Sequence, residues 1–94
     1  MLFSNFLNQL LLGRKGGKSS AEIIQLLFNR PYNTNQIANQ LDICYNSVQY
    51  HIKILIKNNI VLKESNEYGS LIFLTPEMEK KQAEFERLIE KIGK

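Results

Sequence analysis

The side chains best equipped for chemistry crowd one short stretch. Tyr45, Asn46, Ser47, Gln49, Tyr50, Lys53 and Lys57 fall within thirteen positions, and no Asp or Glu interrupts the run as far as Asn59. The carboxamides of Asn46 and Gln49 each donate and accept side by side, the pattern that matches an adenine edge in a major groove. Hydroxyl and phenol groups add single hydrogen bonds or contact with thymine methyls, while the ammonium groups of Lys53 and Lys57 suit phosphate. This is the chemistry of recognition rather than of bond making. His51 is the only histidine and Cys44 the only cysteine, so no Cys-pair metal site can be assembled, and a single histidine builds neither a metal site nor a triad alone. No enzyme, cofactor, metal or small-molecule ligand is expected.

A recognition set of this kind needs a rigid element behind it. Val48, Ile52, Leu55 and Ile56 recur at helical spacing, which predicts a helix over 45–58 with the polar set on its outer side. Just upstream, Asn33 stands three residues before Gln36, a capping-box pattern, with Tyr32 and Ile37 at the staple positions. A helix should therefore start at Thr34 and run through Ile37, Ala38 and Leu41. Asp42-Ile43-Cys44 then reads as a three-residue turn, Asp42 being tolerant of left-handed geometry. Ala38 is small enough for a steep helix crossing, and Ile43 plugs the turn into the core. Asn58-Asn59 closes the second helix.

Residues 60–64 and 70–75 are β-branched and apolar runs separated by Ser65-Asn66-Glu67-Tyr68-Gly69, the makings of a hairpin with Tyr68 at its tip. Thr75-Pro76-Glu77 supplies an N-cap, a first-turn proline and an early carboxylate for a last helix over 76–94. Its apolar stripe is Met78, Phe85, Leu88, Ile89 and Ile92. Helix, short turn, helix, hairpin is the order of a winged helix-turn-helix. The expected fold class is mainly α with a small β-hairpin, carrying additional N- and C-terminal helices.

Upstream of that core, Leu2, Phe3, Phe6, Leu7, Leu10 and Leu11 predict an amphipathic helix over 1–12 that must pack on the body or on a partner. Residues 13–20 hold three glycines with Arg14, Lys15 and Lys18, and read as a basic hinge ending in Ser19 and Ser20 as N-caps. Gly17-Lys18-Ser19 lacks the register of a nucleotide-binding loop. Contact with a phosphate backbone and service as a flexible basic linker are both open for this hinge. Residues 21–28 form a heavily apolar core helix stopped at Arg30-Pro31.

Ninety-four residues suit a single domain, and a core of this size gains from association with a second copy. The net charge of +3 is unevenly placed: residues 1–63 hold seven basic side chains against two acidic, and the remainder five against seven. A basic body with an acidic-leaning tail fits a polyanion binder with a separate interaction element. The lone cysteine points to a reducing, cytoplasmic setting, and the apolar opening is too short for a membrane span and lacks signal-peptide features.

Residues 33–75 resemble the ArsR-type winged-helix transcription regulators. Gly13-Arg14-Lys15-Gly16-Gly17-Lys18, Arg30-Pro31-Tyr32-Asn33, Val48-Gln49-Tyr50-His51 and Leu74-Thr75-Pro76-Glu77-Met78 look like an archaeal branch of them. The resemblance implies a homodimer that binds double-stranded DNA sequence-specifically at a near-palindromic site, with the terminal helices making the dimer contact. Tyr32, Asn33 and Thr34 stand where metal-sensing members place a Cys pair, so no metal switch carries over. Cys44 stands where such proteins often have a Ser N-cap, and a thiol is the weaker acceptor. Cys44 reads either as a redox sensor near DNA or as a small semi-buried residue. His51 reads as a packing and hydrogen-bonding residue beside the DNA face, or as a phosphate contact. In the hairpin, Glu64 and Glu67 offset Lys63, so Tyr68 either touches sugar or phosphate or contributes little. The competing function is a winged-helix protein-protein interaction module that binds no DNA.

Overall fold

The computed structural model describes residues 17–92. The helix expected over 1–12, together with Arg14 and Lys15, lies outside the described residues. The elements are α1 (Gly17–Asn29), α2 (Thr34–Leu41), α3 (Tyr45–Lys57), β1 (Val61–Lys63), β2 (Ile72–Leu74), α4 (Pro76–Glu79) and α5 (Gln82–Ile92). This is a mainly helical winged helix-turn-helix with a two-stranded antiparallel hairpin. Val61 lies opposite Leu74, Leu62 opposite Phe73 and Lys63 opposite Ile72.

The turn between α2 and α3 forms for the reasons its residues suggest. Asn33 accepts from the Gln36 backbone N–H at 2.8 Å, and the Gln36 side chain accepts from the Asn33 N–H at 3.0 Å. At the far end Asp42 takes a left-handed φ of 56°, and Ile43 N–H reaches back to the Ala38 carbonyl at 3.1 Å. α3 ends on the same device: Asn59 is left-handed at φ 63°, its N–H donates to Ile56 O at 3.0 Å, and Ile60 N–H donates to Leu55 O at 2.9 Å. Both bonds belong to a Schellman closure, completed by the apolar pair Leu55 and Ile60, each fully buried.

Val48, Ile52 and Leu55 seat α3 in a core shared with Ile23 and Ile24 of α1, Ile37 of α2 and Ile72 of β2. Fully burying a side chain of this size stabilises by about 1.5–3 kcal/mol, so three on one helix fix which face turns outward. Thr75 joins the hairpin to the end of α3. Its hydroxyl donates to the carbonyls of Asn59 at 2.8 Å and Ile60 at 3.3 Å, and accepts from Met78 N–H at 3.2 Å as the cap of α4.

Four expectations require correction. Residues 17–20 are not hinge: α1 starts at Gly17, so Lys18, Ser19 and Ser20 are helical, and Ser20 is buried against α3 rather than capping. Its hydroxyl lies 3.3 Å from His51 Nδ1, a tertiary partner that outweighs its capping tendency. The helix expected over 76–94 is broken after Glu79 into α4 and α5, where Lys81 N–H closes a tight bond to Met78 O at 2.9 Å and Lys-Lys-Gln offers no apolar side chain to the core. The strands are shorter than 60–64 and 70–75, because Ile60 and Thr75 are spent on the joint with α3. Ile56 is exposed, one position around the helix from the buried row. One pairing had no local signal: Ile72 N–H donates to Tyr32 O at 2.9 Å, which lays the segment before α2 alongside β2.

Candidate nucleic-acid interface

With Val48, Ile52 and Leu55 facing inward, helical geometry dictates the opposite row. Asn46, Tyr50, Lys53 and Lys57 follow at spacings of four, three and four, and all four are exposed. Tyr50 retains 58% of its surface. The row carries an amide, a phenol and two ammonium groups without a carboxylate on the helix, so its charge is wholly positive. Neither lysine enters an ion pair among the described residues.

The remaining predicted side chains divide between the flanks. Tyr45 and Gln49 are half-buried on one side, and Ser47 is half-buried on the other. Ser47 is engaged by Cys44, whose Sγ lies 3.2 Å from its Oγ. His51, on the Ser47 side, is half-buried, lies against Ser20 and meets the Tyr50 ring edge-on at 5.5 Å between centroids. It therefore packs and hydrogen-bonds between α1 and α3, which is the first of its two readings. Lys18 falls in the first turn of α1, and its side chain lies outside those described.

Cys44 precedes α3 in extended conformation, at φ −73° and ψ 150°, and makes no side-chain cap bond. It is exposed, which corrects the semi-buried reading. The Ser47 hydroxyl, and secondarily the Ser47 backbone amide, hold its thiol below the usual range. Among the described residues no three His, Cys, Asp or Glu side chains gather as a metal-binding group, and no helix is long and apolar enough to cross a membrane.

The hairpin tip is an ordered loop. Gly69 adopts φ 83°, Ser70 Oγ donates to Ser65 O at 2.8 Å, and Glu64 Oε1 accepts from Leu71 N–H at 3.2 Å. Glu64, which the sequence counts as acidity on the wing, is thus occupied in closing the loop. Tyr68 is 83% exposed, yet its ring stacks on Tyr45 with centroids 6.3 Å apart and planes 28° from parallel. Sequence reasoning placed both tyrosines on the interface but missed that they touch. They lie twenty-three positions apart, and no periodicity reports a contact across a loop.

No protein-family model and no curated protein sequence matches the chain. Solved structures do match. A MarR transcriptional regulator from Methanosarcina mazei Go1 superposes with a TM-score of 0.74 at 15% identity, over 98% of this chain and 64% of that one. A MarR family transcriptional regulator from Silicibacter pomeroyi DSS gives 0.71 at 20% identity, over 98% and 64%. AbfR of Staphylococcus epidermidis gives 0.70 at 24% identity, over 96% and 63%. Overoxidized AbfR, solved bound to DNA, gives 0.70 at 23%, over 96% and 69%. At these identities the likeness establishes the winged helix-turn-helix fold. The chain spans a little under two thirds of the length of the two MarR regulators.

Proposed function

We propose that the protein is a DNA-binding transcription regulator that lays α3 in the major groove. The observation that carries this reading is the exposed, carboxylate-free row of Asn46, Tyr50, Lys53 and Lys57 on a helix whose opposite face is locked into the core. Asn46 and Gln49 offer amides to adenine edges, worth about 1–3 kcal/mol of discrimination each, and Lys53 and Lys57 neutralise phosphates. A DNA-bound neighbour of the same fold supports the reading.

The protein works, in this proposal, as a cytoplasmic homodimer on a near-palindromic site. α3 has 13 residues and is therefore about 20 Å long, enough to read one half-site. Two copies placed about 34 Å apart would read two half-sites on one face of the duplex. The apolar row at Leu2, Phe3, Phe6, Leu7, Leu10 and Leu11 supports a second copy as partner. Membership of an archaeal branch of ArsR-type regulators belongs to the same proposal and rests on the sequence motifs, whereas two of the solved structures of like fold are MarR regulators.

Fluorescence anisotropy with random and selected duplexes at several salt concentrations tests the proposal. Affinity should fall steeply with salt, and Lys53→Ala and Lys57→Ala should each flatten the slope of log K against log salt by about one. Absence of binding at low salt ends the DNA reading. It would leave the interaction-module reading, which the exposed Leu62 and Ile56 favour.

A further inference from the structure

We propose that Tyr45 and Tyr68 act as one latch, in which Tyr45 positions the wing tip and Tyr68 presents its outer edge to the strand beside the groove. The two rings are 6.3 Å apart at their centroids and 28° from parallel, within the range of a favourable offset stack. Tyr45 is half-buried, with a face of its ring occupied by Tyr68, so it is poorly placed to read a base edge. Tyr68 projects from a loop whose shape is already set by Gly69 at positive φ and by the bonds from Ser70 to Ser65 and from Leu71 to Glu64. Those bonds shape the tip internally. The ring stack is what ties the tip to the first turn of α3.

A hairpin with three residues in each strand has few ladder bonds with which to hold its far end in place. Thr75 secures the base of the hairpin to α3, and the tyrosine stack secures the tip, so the wing is attached at both ends. The reading helix and the wing then meet a duplex as one rigid surface, and the ordering of the wing is completed before binding. Tyr45 is thus a positioning residue, and the contribution of each tyrosine depends on the other.

Two measurements on the full chain test this, and the first needs no DNA. Amide hydrogen exchange at Glu67, Ser70 and Leu71 should rise about three- to tenfold in Tyr45→Ala and in Tyr68→Ala, the factor that the loss of one aromatic pair gives. It should stay unchanged in Tyr45→Phe, because the stack needs the ring and not the hydroxyl. Tyr68 is too exposed for its removal to unfold the core, so that variant reports even where Tyr45→Ala is destabilised. Exchange within twofold of the parent in Tyr68→Ala overturns the latch. The second measurement rests on the DNA-binding reading: each alanine variant should weaken duplex binding about three- to tenfold, and the double variant no further than either single one. Losses that multiply would mean two independent contacts and overturn the coupling. A chain that binds no duplex fails the functional reading alone, since the exchange experiment still decides the latch.

Discussion

Three of the described helices begin at a residue in extended conformation that can offer a side chain to the first turn, and they are closed very differently. Asn33 caps α2 with reciprocal bonds of 2.8 and 3.0 Å. Thr75 caps α4 while also holding the end of α3. Cys44, before α3, makes no side-chain cap bond. The two closed joints lie in the scaffold, where backbone groups are shielded and must be paired within the protein. At the open joint Cys44 is exposed, so water can satisfy the first N–H groups, and the helix is anchored by Val48 and Ile43 instead. Chain ends that shape the fold are tied by hydrogen bonds, and the end that faces outward is held by packing.

Thr75→Val gives the sharpest test of that contrast. Valine keeps the shape of a side chain that is 2% exposed but leaves Met78 N–H and Asn59 O without their partner. A buried group left unsatisfied costs about 1–3 kcal/mol, so the loss should be about 2–3 kcal/mol, a fall in Tm of about 10–20 °C by circular dichroism. A fall of under about 2 °C would show that the joint is not closed by this hydroxyl. The hairpin amides should also lose protection first, since its attachment to α3 passes through the Thr75 bonds.

Asn33→Ala and Cys44→Ser should move stability in opposite directions. Removing the capping box costs about 1 kcal/mol and lowers Tm by about 4–8 °C. Putting a hydroxyl at position 44 supplies the cap that α3 lacks and raises stability by about 0.5 kcal/mol, or Tm by about 2–4 °C. If Cys44→Ser is destabilising, the thiol and Ser47 already form the better closure, and the contrast between the two helix starts collapses.

What could be read in the sequence was what local physics decides. The Asn33 box, the left-handed Asp42 and the buried triplet Val48, Ile52 and Leu55 each depend on neighbours within about one or two turns, and each appears where its spacing places it. Errors arose where a distant partner intervened. Ser20 looks like a cap until His51 is brought against it by packing. Glu64 offsets Lys63 in the sequence, and nothing there shows that its carboxylate also accepts from Leu71 N–H. The wing was legible as two β-branched runs, but the stack that joins Tyr68 to Tyr45 follows from tertiary placement alone. Of the candidate interface, the identity of the outward row was therefore legible, whereas its flanks were not: Tyr45, Ser47 and Gln49 share helix spacing with exposed residues but are half-buried, Tyr45 against Tyr68 and Ser47 against Cys44.

The smallest effect concerns the thiol at the open joint. Hydrogen bonding from Ser47 favours the charged form of Cys44, so the folded-state pKa lies below the unfolded one. The sign follows: any stabilisation by the thiolate is present at pH above the unfolded pKa and disappears as pH falls through the folded one. Because Cys44 is fully exposed, solvent screens that contribution and Tm is a poor readout. Reactivity is the better one, since the thiolate is the nucleophile. The rate of alkylation by iodoacetamide should rise at lower pH than for a free cysteine. Ser47→Ala should shift the whole pH–rate profile upward in pH while leaving its plateau nearly unchanged. An unshifted profile would mean that the Sγ to Oγ contact at 3.2 Å carries no hydrogen bond to the thiolate, and the Ser47 backbone amide would then be what lowers the pKa of Cys44.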